Sequence, residues 1–400
     1  MIVPPFIPSV KANPDSITYS AGVITVDGTY TDVFEDIYQA DQAGGWDVFT
    51  KTGNNAYACN GIQIDFGDGE NETVAADSAC SVNFFNGAWG TAFRVRNNAT
   101  ATFGTLLNTE RKSTANGVSF IIETYGYVDL AEESTTNFYG CSLMSNQAVE
   151  LDLSGDGNIY NSLFSSGYDL FCFYDTATYN LFNVYSSNDA DVLWYLTDCP
   201  LVTFDTIYAF DSPYLFYIDT SNDLTLTNIA GGGATTDSLF VSTANSNIYL
   251  VNPTLDSWTL DITSSIGDKV YRQYTYDLTI QFLNTSKTEN ANVTITNTIL
   301  DTSDSWLTPA NGSIPQQTYS YGHYNQTGGD SLYDYNPYNL TITYPDYQTY
   351  TALFNLTEKT DWTITLTKET DGNGGYAYFA PAFLLAFLIG LALMIVWIKK

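Results

Sequence analysis

The chain has 400 residues, enough for two or three domains, and carries 13 Lys+Arg against 44 Asp+Glu, a net charge of −31. Phosphate binding needs clustered cations, so nucleic acid is excluded as a partner, and acidic polymers and anionic lipid surfaces are repelled. Aromatic residues reach 15%, which supplies the core that acidic disordered chains lack.

The N-terminus, Met1-Ile-Val-Pro-Pro-Phe-Ile-Pro8, has neither the basic start nor the apolar stretch of a secretory leader. Three expectations remain open: a start further upstream, a non-standard export route, or membership of a virus particle. Thr31–Asp41 is the best helix candidate outside the C-terminus. Asp32 stands at its cap with Glu35 three residues on, Val33, Phe34, Ile37 and Tyr38 form its apolar stripe, and Gly44-Gly45 ends it. The flanking segments alternate as strands, with Gly67-Asp68-Gly69 as a turn. Asp65, Asp68 and Glu70 gather oxygens around that turn. They can hold calcium or simply form the turn, since they lack the length and pattern of an EF-hand loop.

Five cysteines stand at positions 59, 80, 141, 172 and 199, none in C-x-x-C spacing, so a zinc or redox motif is not expected. Cys59 and Cys80 are 21 residues apart and reach disulfide range if they stack on adjacent coils.

From about residue 135 a repeat sets in. Asn137-Phe-Tyr-Gly, Asn158-Ile-Tyr-Asn, Asn180-Leu-Phe-Asn, Val202-Thr-Phe-Asp, Leu224-Thr-Leu-Thr and Asn247-Ile-Tyr-Leu begin 21, 22, 22, 22 and 23 residues apart. A second strand recurs between them, at Val149, Phe171, Leu193, Leu215, Leu239 and Leu260. A unit this short cannot bury its own apolar face and must stack on copies of itself, about 4.8 Å per coil. The period is too short for a propeller blade, and the leucine-rich-repeat pattern is absent. The spacing places Phe171, Leu193 and Leu215 one above another.

In this repeat the chain resembles the right-handed parallel β-helix proteins, the group of pectate-lyase-like enzymes and phage tailspikes, over roughly residues 18–265. The resemblance implies an N-terminal cap, which the candidate helix would supply. It also implies lyase chemistry with a basic residue as proton acceptor, yet Ser113–Gly267 contains 19 acidic residues and no Lys, Arg or His. Asp175, Asp198 and Asp219 follow the second strand in successive coils, at spacings of 23 and 21. Stacked, they suit a hydrolase dyad or a calcium site; the alternative is a favoured corner residue that merely recurs.

Beyond residue 269 longer alternating strands appear, such as Tyr276–Phe282 and Asp361–Thr367, and these predict a small antiparallel β-sandwich. The module resembles the carboxypeptidase-regulatory-like or immunoglobulin-like stalks of surface proteins. Sequons occur at Asn71, Asn98, Asn284, Asn292, Asn311, Asn325, Asn339 and Asn355, six of the eight in this module. His323 is the sole histidine, in a predicted loop rich in tyrosine, which rules out a histidine-based metal cluster.

Tyr376–Ile398 is uncharged over 23 residues, about 34 Å as a helix, and Lys399-Lys400 follow it. This predicts a single-pass membrane helix with the bulk of the chain outside and the C-terminus in the cytoplasm or virion interior. The expected organisation is therefore an extension (1–17), a β-helix (18–268), a sandwich (269–370) and a linker with anchor (371–400). The expected role is non-enzymatic attachment to a glycan or protein receptor. The alternative is a β-helix glycoside hydrolase acting on a neutral polysaccharide. No cofactor beyond calcium is implied, and the oligomeric state is open.

Overall fold

The computed structural model describes residues 16–369 apart from 70–71, 77–78, 86–89, 106–116, 124–125, 146–148, 167–170, 174–176, 189–190, 200, 220–221, 243–245, 257–259, 263–268 and 326–331. The N-terminal part is a parallel β-helix. One of its sheets has eleven strands in the order Ser16–Ser20, Val23–Asp27, Gln63–Phe66, Gly90–Val95, Gly126–Leu130, Val149–Leu153, Phe171–Phe173, Val192–Thr197, Tyr214–Asp219, Asp237–Val241 and Leu260–Ile262. Only the first pair is antiparallel; every later neighbour pairs in parallel with the coil before it.

Most coils hold three strands, not the two that the repeat predicts, and in Thr178–Asn188 and Thr203–Phe210 the first two run together as one long strand. Thr135–Tyr139, Ser142–Ser145 and Val149–Leu153 form one such coil. The first two are separated by a corner at Gly140, and the equivalent corner residues Asn161, Asn183, Asn228 and Asn252 also have φ between 51° and 65°. Asparagine tolerates this left-handed conformation better than other residues with a side chain, which is why it recurs there. The corners also bond to each other. Asn183 Nδ2 donates to Asn161 Oδ1 at 2.7 Å, and Asn252 Nδ2 donates to Asn228 Oδ1 at 3.0 Å.

The register agrees with the repeat where Asn137, Asn158 and Asn180 are vertical neighbours, and it slips by one residue afterwards, when Asn180 meets Thr203. Phe171 likewise lies beside Trp194, so the expected column Phe171–Leu193–Leu215 is off by one residue at its first step, while the spacing of 22 between Leu193 and Leu215 agrees with the pairs Val192–Tyr214 and Trp194–Phe216 on either side. Val192, Leu193 and Trp194 are buried in succession, which breaks strict alternation at the start of that strand and hides the true register. The interior is a column of rings: Phe171 and Trp194 stack 4.0 Å apart, and Trp194 Nε1 donates to the buried Ser186 hydroxyl at 2.8 Å.

The helix runs Val33–Gly44, with Gly45 in the left-handed region as its C-cap. The side chain of Asp32 makes no capping bond, contrary to expectation. Phe34 packs on Phe66, Phe103 and Phe120, so the helix closes the N-terminal end of the core.

The strand Lys269–Phe282 joins the two parts. Its first half continues the last coil beside Asn247–Val251, and its second half pairs with Thr360–Leu366. That second pairing is parallel, so the sandwich is mixed and not wholly antiparallel as expected. The opposing sheet, Thr302–Leu307, Asn292–Asn297, Tyr338–Thr343 and Tyr350–Phe354, is antiparallel throughout. Tyr276, Leu278 and Ile280 face Val293, Ile295, Leu340 and Ile342 across a core separate from that of the β-helix.

The expected fold class needs one further correction. Among the described residues no helix is long and apolar enough to cross a membrane, and Val33–Gly44 is the only α-helix. The expected span Tyr376–Ile398 lies outside the described residues. The architecture described is all-β with one short capping helix.

Candidate functional site

Of the aspartates read from the repeat, Asp198 and Asp219 are not in register with each other. Asp219 lies beside Thr197, not Asp198, and Asp198 is held at φ 41° with its amide donating to the Asp219 carbonyl at 3.3 Å. Asn222 Nδ2 donates to Asp198 Oδ1 at 3.4 Å. Asp198 is thus a corner residue one position out of register with Asp219, and Asp175 lies outside the described residues.

Cys59 and Cys80 are free and buried. Cys59 lies beside Phe84 and Cys80 beside Val118, so the one-coil spacing of 21 does not stack them. Burial pushes the Cys80 thiol up to about 12.

His323 lies in the strand Gln317–Tyr324, not in a loop. Its ring stacks on Tyr333 at 4.8 Å, its Nδ1 meets the Tyr335 hydroxyl at 2.6 Å, and burial lowers its pKa. It pins the edge of the sandwich sheet. Of the sequons, Asn98, Asn284, Asn292, Asn311 and Asn355 are exposed, Asn325 and Asn339 are half-buried, and Asn71 lies outside the described residues.

The polar constellation that does form lies on the outer face of the eleven-stranded sheet, near its N-terminal end. Ile64 and Phe66 point inward, so Asp65 between them points out. Register places Arg94 beside Asp65, and Asp129 beside Arg94. Acid, base and acid therefore follow one another on three adjacent strands. Arg94 Nε donates to Asp129 Oδ2 at 2.6 Å, and Arg96 Nη1 to Asp65 Oδ2 at 3.4 Å. Gln63 donates its amide to the other oxygen of Asp65. Together with Asn97, Asn98 and Glu133, the two arginines and Asp129 line an open groove of about 440 Å³. Among the described residues before Lys269 the cations are Lys51, Arg94 and Arg96, and Lys51 is held by Glu35 at 2.7 Å. The remaining two both lie in this groove.

Beside the groove a carboxylate cluster forms at the corner after Gln63–Phe66. Asp27 ends the strand Val23–Asp27, and the Gly67 amide donates to the Val26 carbonyl at 2.8 Å, which sets Asp27 and the turn side by side. One carboxylate oxygen each from Asp27, Asp68 and Glu72 lie within 4.8 Å of one another. Burial, and then the Asp68 and Asp27 carboxyls, push Glu72 up to about 7. Of the residues that sequence reasoning put in a cluster here, Asp68 belongs to it, Asp65 turns away to Arg96, and Glu70 lies outside the described residues. Asp27 and Glu72 went unnoticed, as did both arginines. The signal available was the corner itself, where the end of one strand abuts the turn of the next coil.

Half-buried aromatic columns on the same sheet are poorer sites. The rings of Tyr195, Tyr217 and Phe240 stack 5.0 and 4.6 Å apart, so they cover each other's faces and leave mainly edges to solvent.

A scan against protein-family models finds no match, and neither does a search of curated proteins. Among solved structures the chain is similar to a mutant of the periplasmic alginate epimerase AlgG, at 10% identity and a TM-score of 0.25, over 62% of this chain and 84% of that one. A likeness of that degree carries no argument about function.

Proposed function

We propose that this β-helix is a non-catalytic recognition protein whose groove at Arg94, Arg96 and Asp129 binds a neutral, polyhydroxylated glycan. The observation that carries the reading is the alternation Asp65–Arg94–Asp129 on adjacent strands, with Arg94 and Asp129 lining the open groove. A sugar hydroxyl both donates and accepts. Guanidinium N–H groups and carboxylate oxygens fixed one strand apart offer it both partners at once. The groove's two cations are offset by Asp65, Asp129 and Glu133, and the chain carries −31 overall, so a polyanion is disfavoured. Arg94 makes its ion pair through Nε alone, which leaves four N–H donors for a ligand.

The sandwich, with its exposed sequons, serves as a glycosylated spacer that holds the groove clear of other surfaces. Binding of a panel of neutral, sulfated and uronate oligosaccharides tests this reading. Wild-type protein should bind a neutral member, and the double variant R94A/R96A should lose at least tenfold in affinity. The Arg94–Asp129 pair is about one-third exposed at each end, so R94A alone should keep its melting temperature to within a few degrees, whereas R96A leaves the largely buried Asp65 with Gln63 and should lower it. Preference for the uronate or sulfated members would overturn the reading.

A further inference from the structure

We infer that Asp27, Asp68 and Glu72 form a calcium-binding site at the corner between the first coils of the β-helix. Two independent observations support it. The three carboxylates each offer an oxygen within 4.8 Å of the others. And Glu72, only 3% exposed, keeps Oε2 buried without a hydrogen-bond partner. A buried carboxylate oxygen left unpaired costs several kcal/mol, and a cation removes that cost.

The space is kept open by backbone choice. Gly67 has φ +97°, and a Cβ there would lie 2.7 Å from Glu72 Oε2 and 2.8 Å from Ala99 Cβ. The nearest cation, Arg96, turns its guanidinium to Asp65.

Ligand chemistry selects the metal class. Hard oxygen donors exclude zinc or copper as the preferred ion. Magnesium demands a near-ideal octahedral shell and keeps most of its waters, whereas calcium accepts several carboxylates in an irregular shell, so three converging carboxylates favour calcium. Three protein carboxylates leave room for waters to complete the shell.

The site also bears on the groove, and here the inference builds on the glycan reading. The Gly69 carbonyl, one residue after Asp68, accepts from Asn98 Nδ2 at 3.1 Å, and both residues line the groove. A cation held by Asp68 thereby fixes one groove wall.

The test is calorimetric titration of the full chain, freed of metal by chelation, with CaCl2 and separately with MgCl2. The expected result is one calcium bound per site, with E72Q and D68N each weakening it at least tenfold, and magnesium at least tenfold weaker in the wild type. The control D198N should bind as the wild type does. R94A/R96A should also keep its calcium affinity, so failure of the glycan reading leaves this result intact. If E72Q does not fold, D68N decides, because Asp68 is exposed. No heat of calcium binding in the wild type, or wild-type affinity in both variants, overturns the site.

Discussion

Replacing Glu72 by glutamine isolates the cost of one buried charge. Glu72 is 3% exposed, and its carboxyl is pushed from the ordinary 4.5 up to about 7, first by burial and then by Asp68 and Asp27. A carboxyl raised in the folded state favours folding while it is neutral. Its contribution is complete below about 4.5 and is lost as pH rises through about 7. The gap corresponds to about 3 kcal/mol, an upper figure because the corner can relax. Glutamine keeps the shape and cannot ionise, and its amide donates to the neighbouring carboxylates that glutamate repels. In the presence of a chelator, E72Q should therefore be more stable than wild type by about 2–3 kcal/mol at pH 8 and equal to it near pH 4. Urea denaturation at both pH values measures this, with the slopes compared to confirm that the unfolding transition is unchanged. An equal gain at both pH values would mean that packing, not ionisation, explains the effect. No gain at pH 8 would refute the charge argument outright.

Four further outcomes follow from the same geometry. Phe103 is fully buried among Phe34, Phe66, Phe93, Phe120 and Phe138, with ring centroids 5.3–6.1 Å away, so F103A should cost about 3–5 kcal/mol in urea denaturation. Asn228 sits at φ 51° and bonds to Asp205, so N228A should cost about 2 kcal/mol and N228G less, since glycine accepts the conformation. Cys59 and Cys80 should react with a thiol reagent only after denaturation, and reductant should leave the melting temperature unchanged. Asn98 faces the groove with its amide donating to the Gly69 carbonyl at 3.1 Å, so glycopeptide mapping after expression in a glycosylating host should find it unmodified while Asn284 or Asn292 carries sugar.

The repeat made the β-helix legible, because a column of stacked strands imposes a period that no short unit can hide. The number of strands per coil was not legible. Gly140, Asn161 and Asn183 read as the ends of a strand, although they are left-handed corners inside a coil, and the alternation resumes beyond them. Spacing alone also misjudged side-chain partners. Asp198 and Asp219 are 21 residues apart, yet their register differs by one, and one residue in a strand turns a side chain to the other face. The groove was hidden for a related reason. Asp65, Arg94 and Asp129 are 29 and 35 residues apart, because the early coils take more residues than the later ones and unequal numbers of them, so no fixed period links them. Asp27 and Asp68 are brought together by a corner between coils, a contact that depends on the pairing Val26–Phe66 and on nothing local to either residue.

Hydrogen exchange of the full chain with a neutral oligosaccharide bound tests the recognition reading most directly, because it reports where the ligand sits. Added protection is expected in Gln63–Phe66, Gly90–Val95 and Gly126–Leu130 and at the turn through Gly69, with none along the stacked rings of Tyr195, Tyr217 and Phe240. Protection confined to those rings or to the sandwich, with the arginine strands unchanged, would contradict it.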